Sequence, residues 1–254
     1  MTTKFVTLIT GAAQGIGAAI AKCLASANHN IALNYFTSQE KAQQTAQECE
    51  KLGAEVLLLQ ADVSQPEECK KIVAETIAKF GRIDLLVNNA GVASFSKSPI
   101  FDFEAQSFEA FNQIFNTNVL SALVLSQAVT PHMKRSGQGA IINISSVAGI
   151  SGATNTSIIY AASKGALNTL TLTLAKALAP VIRVNAICPA LVDSTWWDKR
   201  FPDRENREHF MEEMTKRNPL GKVITPAEVA NAVLFLFQNS SMNGELIRID
   251  SGAH

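Results

Sequence analysis

Residues 8–20 read LITGAAQGIGAAI. An apolar run, a glycine-rich turn and a new helical pattern follow in that order. Gly11, Gly15 and Gly17 let the backbone bend sharply and approach a ligand closely. A helix starting near Gly15 turns its unpaired N–H groups, and the positive end of its dipole, toward that turn. This arrangement holds a pyrophosphate, with Gln14 and Ile16 in the same loop. The spacing is GxxxGxG rather than GxGxxG, so the turn takes its meaning from its position after the first strand of an alternating chain.

The alternation runs through all 254 residues. Strands are expected near 4–10, 31–35, 55–60, 83–88, 139–144, 181–187 and 245–249. Helices are expected near 15–27, 39–52, 66–80, 104–133, 158–179, 205–217 and 226–238. SQPE at 64–67 and TPAE at 225–228 have the form of capping boxes, with Ser or Thr at the N-cap and Glu three residues on. The runs VTLIT, DLLVNN and AIINIS are apolar on both faces, as parallel strands covered by helices on each side must be. With no linker, repeat or low-complexity segment, residues 1–254 are expected to form one doubly wound α/β domain of about seven parallel strands.

Composition narrows the function. Hydrophobic residues make up 47%, and 22 basic side chains balance 22 acidic ones, so neither nucleic acid nor an anionic membrane surface is expected as a partner. Cys23, Cys49, Cys69 and Cys188 are widely spaced and form no CxxC pair; they read as small hydrophobes in a reducing compartment, not as metal ligands. KFVTLITG is too short for a signal peptide or a membrane span, which makes the cytosol the expected location. No charged residue occurs from Ala110 to Met133 or from Gly165 to Ala175. An outer helix should present water with a charged face, so a second subunit is expected to cover these helices in a homo-oligomer, dimer or tetramer.

The stretch SIIYAASKGAL, 157–167, holds one of only two tyrosines. Tyr160 and Lys164 are one helical turn apart and rise from the same face. A phenol beside an ammonium can exchange protons with a substrate, whereas a core tyrosine beside a solvated lysine would do nothing. At the end of the second strand, ALNYF carries no carboxylate, and no Asp or Glu precedes Glu40. Nothing there would grip a ribose diol or repel a 2′-phosphate, and Thr37, Ser38 and Lys41 could bond one. No arginine stands nearby to strengthen that grip, yet without the carboxylate NADP is favoured and NAD remains the alternative.

TGAAQGIG at 10–17, NNAG at 88–91, Asn118, NISS at 143–146 and YxxxK at 160–164 come in fixed order. Together they resemble the short-chain dehydrogenase/reductase family over essentially the whole chain. The resemblance implies a Rossmann-type sheet, a nicotinamide site at the carboxyl ends of the strands, and a tetrad of Asn118, Ser146, Tyr160 and Lys164. Tyr160 would be the acid, its pKa brought below the usual value of about 10 by Lys164 and the oxidised cofactor. Lys164 would also hold the ribose, Ser146 would donate to the substrate oxygen, and the Asn118 amide would hold a water linking Lys164 to solvent. Cofactor contacts are implied at Tyr35, Ser38, Asp62, Val63, Asn88, Ala90, Gly91, Pro189, Val192 and Ser194 or Thr195.

Three departures are visible. Ser146 lies fourteen positions before Tyr160, one more than is usual, with the insertion expected in GATNTS (152–157). Ala190 replaces a common glycine, and DSG at 250–252 replaces a usual double glycine. Residues 191–220, with both tryptophans, Phe201, Phe210 and many charges, read as a mobile lid suited to an apolar or mixed substrate. Within the family the resemblance is to 3-oxoacyl-(acyl-carrier-protein) reductases, and Lys134, Arg135 and Lys176 could meet an acidic carrier. NADPH-dependent reduction of a 3-oxoacyl thioester or similar ketone is the leading expectation. An NAD-linked dehydrogenase of a secondary alcohol, sugar or steroid, and a non-catalytic dinucleotide-binding regulator, are the alternatives.

Overall fold

The computed structural model describes residues 4–93, 107–152, 157–198 and 200–253. Seven strands, β1 (Phe5–Ile9), β2 (His29–Tyr35), β3 (Val56–Gln60), β4 (Leu85–Asn88), β5 (Gly139–Ile144), β6 (Ile182–Pro189) and β7 (Leu246–Ile249), form one sheet in the order β3-β2-β1-β4-β5-β6-β7. Every pairing is parallel. The order reverses between β1 and β4, so the connections after these two strands run to opposite sides and leave a crevice at their carboxyl ends.

Around the sheet lie α1 (Gly15–Ser26), α2 (Gln39–Lys51), α3 (Pro66–Phe80), α4 (Phe108–Phe115), α5 (Ser121–Ser136), α6 (Ala148–Ser151), α7 (Ile158–Leu178), α8 (Arg204–Arg217) and α9 (Pro226–Gln238). One core packs α1, α2 and α9 on a face carrying Ile9, Leu33, Val87 and Ile142. The other packs α3, α5 and α7 on Leu8, Ala32, Leu86 and Ile141. Consecutive strand residues therefore enter opposite cores, which is why the strands lack a polar face. On β6, Arg183 donates to the carbonyls of Leu236, Phe237, Asn239 and Met242 and closes the end of α9 that would otherwise be left unbonded.

Several expectations change. TPAE forms its capping box: Thr225 accepts from the Glu228 N–H and Glu228 accepts from the Thr225 N–H. SQPE does not. There Pro66 opens α3 behind Gln65, while the Asp62 carboxylate accepts from the Ser64 N–H at 2.9 Å as a turn. Of the helix expected over 104–133, residues 104–106 lie outside the described residues. The remainder is α4, a π-helical turn at Asn116–Leu120, and α5. Hydrophobic periodicity does not register one wide turn, nor did it reveal the four-residue α6. Residues 153–156, where the insertion was expected, are also outside the described residues.

Candidate active site

The turn after β1 is built as glycine requires. Gly11 (φ +61°) and Gly15 (φ +59°) are left-handed. A Cβ on Gly17 would lie 2.5 Å from the Gly11 carbonyl oxygen, 2.6 Å from the Asn89 side-chain nitrogen and 2.8 Å from the Ala12 Cα. Asn89 is what locks the loop, its Nδ2 donating to the Thr10 and Gly11 carbonyls at 2.8 and 3.1 Å. Asn34 adds a second clamp: its Oδ1 accepts from the Gly11 N–H at 3.2 Å, and its Nδ2 donates to the Leu59 and Ala61 carbonyls, both at 3.1 Å. Gln14 occupies the α1 N-cap without a side-chain capping bond, and the first turn carries no acidic residue. The loop thus offers backbone donors and a positive helix end to an anion, and no side chain competes for them. These features fit the pyrophosphate of a dinucleotide.

A cleft of about 950 Å³ opens over this loop along the carboxyl ends of the strands. Of the expected site residues, Gly11, Gln14, Gly15, Ile16, Tyr35, Ser38, Asp62, Val63, Ala90, Gly91, Ser146, Tyr160, Lys164, Pro189, Val192, Ser194 and Thr195 line it. Gly17, Asn88 and Asn118 do not. Gly17 sits behind the loop as a close-packing position. Asn88 is a correction. It is the last residue of β4 and shares a face with Leu86, pointing beneath the sheet, where its Nδ2 donates to Asn143 at 2.8 Å. Its neighbour Asn89 takes the place in the cleft, which the two-residue alternation along β4 could have shown.

Lys164 and Tyr160 share the expected face of α7, which starts where the Ser157 hydroxyl accepts from the Tyr160 N–H at 3.2 Å. Gly149 of α6 lies so close that a Cβ there would be 2.4 Å from the Lys164 carbonyl carbon, and this contact draws the Ser146 turn onto α7. The Ser146 hydroxyl donates to the Pro189 carbonyl at 3.4 Å, accepts from the Ala148 N–H at 3.1 Å, and favours the ionised form of the neighbouring Tyr160 phenol. Lys164 is 4% exposed, donates to the Ile144 carbonyl at 2.8 Å and lies 5.6 Å from the centroid of the Tyr160 ring.

In the protein by itself, burial dominates the electrostatics of this pair. Burial pushes the Tyr160 phenol up to about 12, with the Ser146 hydroxyl pulling the other way and Cys188 adding a smaller upward push. Burial likewise brings Lys164 down to about 8. For both groups burial is the largest influence. Asn118 lies behind the cleft wall, its side chain bonded within the protein. Its Oδ1 accepts from the Val92 N–H at 2.8 Å, and its Nδ2 donates to the Val92 carbonyl and the Ser163 hydroxyl, both at 3.0 Å. The Ser163 hydroxyl in turn donates to the Tyr160 carbonyl at 2.7 Å. The amide spends its donors tying the π-helical turn to the cleft wall and to α7.

From 191 onward the chain folds over the cleft, with Lys199 outside the described residues. Trp196 comes within 6.2 Å of Tyr160, ring centre to ring centre. Trp197 is buried instead. Its indole N–H donates to the Val192 carbonyl at 3.0 Å, and its ring packs on Phe201 and Phe210. Of the lid's aromatic residues, Phe201 and Phe210 thus form a small core of their own and do not line the main cleft. Arg207 of α8 ties this core down by donating to Asp193 at 2.6 Å. At the far end of the cleft, Tyr35, Phe36, Thr37 and Ser38 form the wall, and Lys41 reaches across to the Gln14 side-chain carbonyl.

The comparisons agree with this geometry. The family model described as enoyl-(acyl carrier protein) reductase matches residues 11–254. A provisionally named ketoacyl reductase 2 of the granaticin polyketide synthase from Streptomyces violaceoruber is 33% identical, covering 98% of this chain and 96% of its own. A 3-oxoacyl-(acyl-carrier-protein) reductase of Staphylococcus epidermidis is 32% identical, covering 97% and 98%. The crystal structure of a provisionally assigned short-chain dehydrogenase/reductase from Burkholderia xenovorans superposes with a TM-score of 0.90 at 33% identity, covering 100% of this chain and 99% of that one. The chain is an oxidoreductase fold by ancestry as well as by shape, and it belongs to the short-chain dehydrogenase/reductase family.

Proposed function

We propose that this protein reduces a ketone, a 3-oxoacyl thioester or a close analogue, with NADPH. The observation that carries the reading is the meeting of Tyr160, Ser146 and Lys164 in one cleft with the glycine-rich loop. A reduced nicotinamide bound on that loop supplies hydride to a carbonyl carbon. The chain's own part is the oxygen. As negative charge develops there, Ser146 and Tyr160 donate to it, and Tyr160 gives up its proton. A phenol held near 12 stays protonated at neutral pH, which suits a proton donor. Lys164 is mostly an ammonium at pH 7 and places a positive charge beside the ring as the phenolate forms. Asn118 and Ser163 position this group from behind.

NADPH is preferred over NADH because residues 31–39, the end of β2 and the turn after it, carry no carboxylate, while Ser38, Thr37 and Lys41 offer donors to a 2′-phosphate. Polyketide and acyl-carrier reductases among the relatives support the 3-oxoacyl class, and the exposed Lys134, Arg135 and Lys176 would face an acidic carrier. Phe108, Phe111 and Leu172 remain exposed at the uncharged helices, supporting a homo-oligomer in which a second copy covers them. Four free cysteines suit a cytosolic setting.

Titrating the purified protein with NADPH and NADH, then following loss of reduced-nicotinamide absorbance with ketone and 3-oxoacyl thioester substrates, tests the reading. Tighter NADPH binding and turnover of the thioesters are expected. Equal or tighter NADH binding overturns the cofactor assignment, and cofactor binding with no turnover of any ketone overturns the reaction. Sedimentation should report a particle larger than the 27.3 kDa chain, and a monomer at micromolar concentration refutes the oligomer.

A further inference from the structure

We propose that Arg217 is a specificity residue that binds an anionic group, a carboxylate or a phosphate, at the end of the substrate remote from its carbonyl. This deepens the ketone-reductase reading and rests on it.

The argument begins with the charges of α8. Arg204 pairs with Glu208 at 2.7 Å, Arg207 with Asp193 at 2.6 Å, and Lys216 with Glu213 at 3.8 Å. Arg217, the last residue of the helix, has no carboxylate partner among the described residues. Arg217 is exposed, as a cation at a helix C-terminus commonly is. It also lines the same cleft as Tyr160, whose wall further includes Met214, Asn218 and Trp196.

A second hollow of about 650 Å³ shares Met214 and Arg217 with the first and is walled by Phe201, Pro202 and Phe210 together with Arg200, Asn206 and His209. Its two carboxylates are occupied: Glu213 by Lys216, and Asp203 by the Asn206 N–H, which it accepts at 3.0 Å. Arg217 therefore lines both the reaction chamber and a neighbouring hollow of mixed character, and its guanidinium, with no carboxylate partner among the described residues, has a planar fork that suits carboxylate or phosphate oxygens. A substrate with its ketone at Tyr160, an apolar middle against Trp196 and Met214, and a negative end at Arg217 matches these surfaces in order.

Two matched pairs of probes test this with the full-length enzyme and NADPH. Methyl 3-oxooctanoate is set against monomethyl 3-oxooctanedioate for the carboxylate, and 3-oxooctanoyl pantetheine against its 4′-phosphate for the phosphate. In the wild type at least one charged member should have a KM about tenfold below its neutral partner, as one charge-assisted contact gives. Arg217→Met should collapse that ratio to about one with little change in kcat, and Arg217→Lys should restore part of it. The pair that shows the effect identifies the anion. Should both pairs turn over with charged-to-neutral ratios that Arg217→Met leaves unmoved, the inference falls and the reductase reading stands. If no probe is turned over, binding of the four probes to the enzyme with oxidised cofactor, followed by tryptophan fluorescence, decides separately. A charged-probe preference lost in Arg217→Met upholds the anion site, and its absence removes it.

Discussion

Replacing Lys164 by Met should abolish turnover without the loss of stability that deleting a buried side chain normally brings. Lys164 is 4% exposed, and its one protein hydrogen bond goes to the Ile144 carbonyl at 2.8 Å. Burial draws its pKa from 10.5 to about 8, which corresponds to about 3 kcal/mol of preference against the charged form. Methionine fills a similar unbranched volume and removes that burden, while stranding the Ile144 carbonyl costs about 1–3 kcal/mol. The variant should therefore lie within about 2 kcal/mol of wild type, or above it. Deleting a well-packed core side chain typically costs about 2–5 kcal/mol.

The pH dependence makes the test specific. The folded pKa lies below the unfolded one, so between pH 8 and 10.5 the unfolded chain holds a proton the native state has released. Wild-type stability then gains up to about 3 kcal/mol from this group as pH rises through that window, and Lys164→Met gains nothing. Cys49 and Cys69, which burial raises to about 11 and about 12, pull the other way, but they do so in both proteins. Urea unfolding of the two proteins at pH 7, 8.5 and 10 reads the difference directly. A stability gap between them that stays constant across that range would refute the claim that Lys164 is held charged against its desolvation.

Other outcomes follow from the same geometry. Tyr160→Phe should retain cofactor affinity while turnover falls at least ~100-fold, measured by steady-state kinetics beside a cofactor titration; near-normal turnover removes Tyr160 as the proton donor. Gly17→Ala puts a methyl group against the Gly11 carbonyl and Asn89, so it should cost about 1–3 kcal/mol in denaturant unfolding and weaken dinucleotide binding at least ~10-fold. His29 is buried among Phe5 and Phe237, bonded to Thr7 at 2.8 Å, and drawn down to about 4 by burial against the opposing pull of Asp84, itself paired with Arg82. Its folded pKa lies below the unfolded 6.5, so its stabilising contribution is complete above pH 6.5 and is lost as pH falls toward 4. Wild type should lose up to about 3 kcal/mol more than His29→Leu between pH 7 and 4.5, and equal losses would contradict this.

The sequence by itself determined the layout and the chemistry. Seven strands and their covering helices were legible because strands buried on both faces and helices capped by local residues announce themselves within a few positions, as VTLIT and TPAE do. The glycine turn and the Tyr160–Lys164 spacing were legible for the same reason: both are set by neighbours one turn away. Tertiary structure alone decided the rest. Asn88 faces under the sheet while Asn89 clamps Gly11; the Asn118 amide is consumed by Val92 and Ser163; Trp196 meets Tyr160 while Trp197 is buried on Phe201 and Phe210. Each depends on which side chains arrive from distant parts of the chain. Protonation follows the same rule, since the depth at which Tyr160 and Lys164 are desolvated is a property of everything packed around them, and their spacing in the chain carries no record of it.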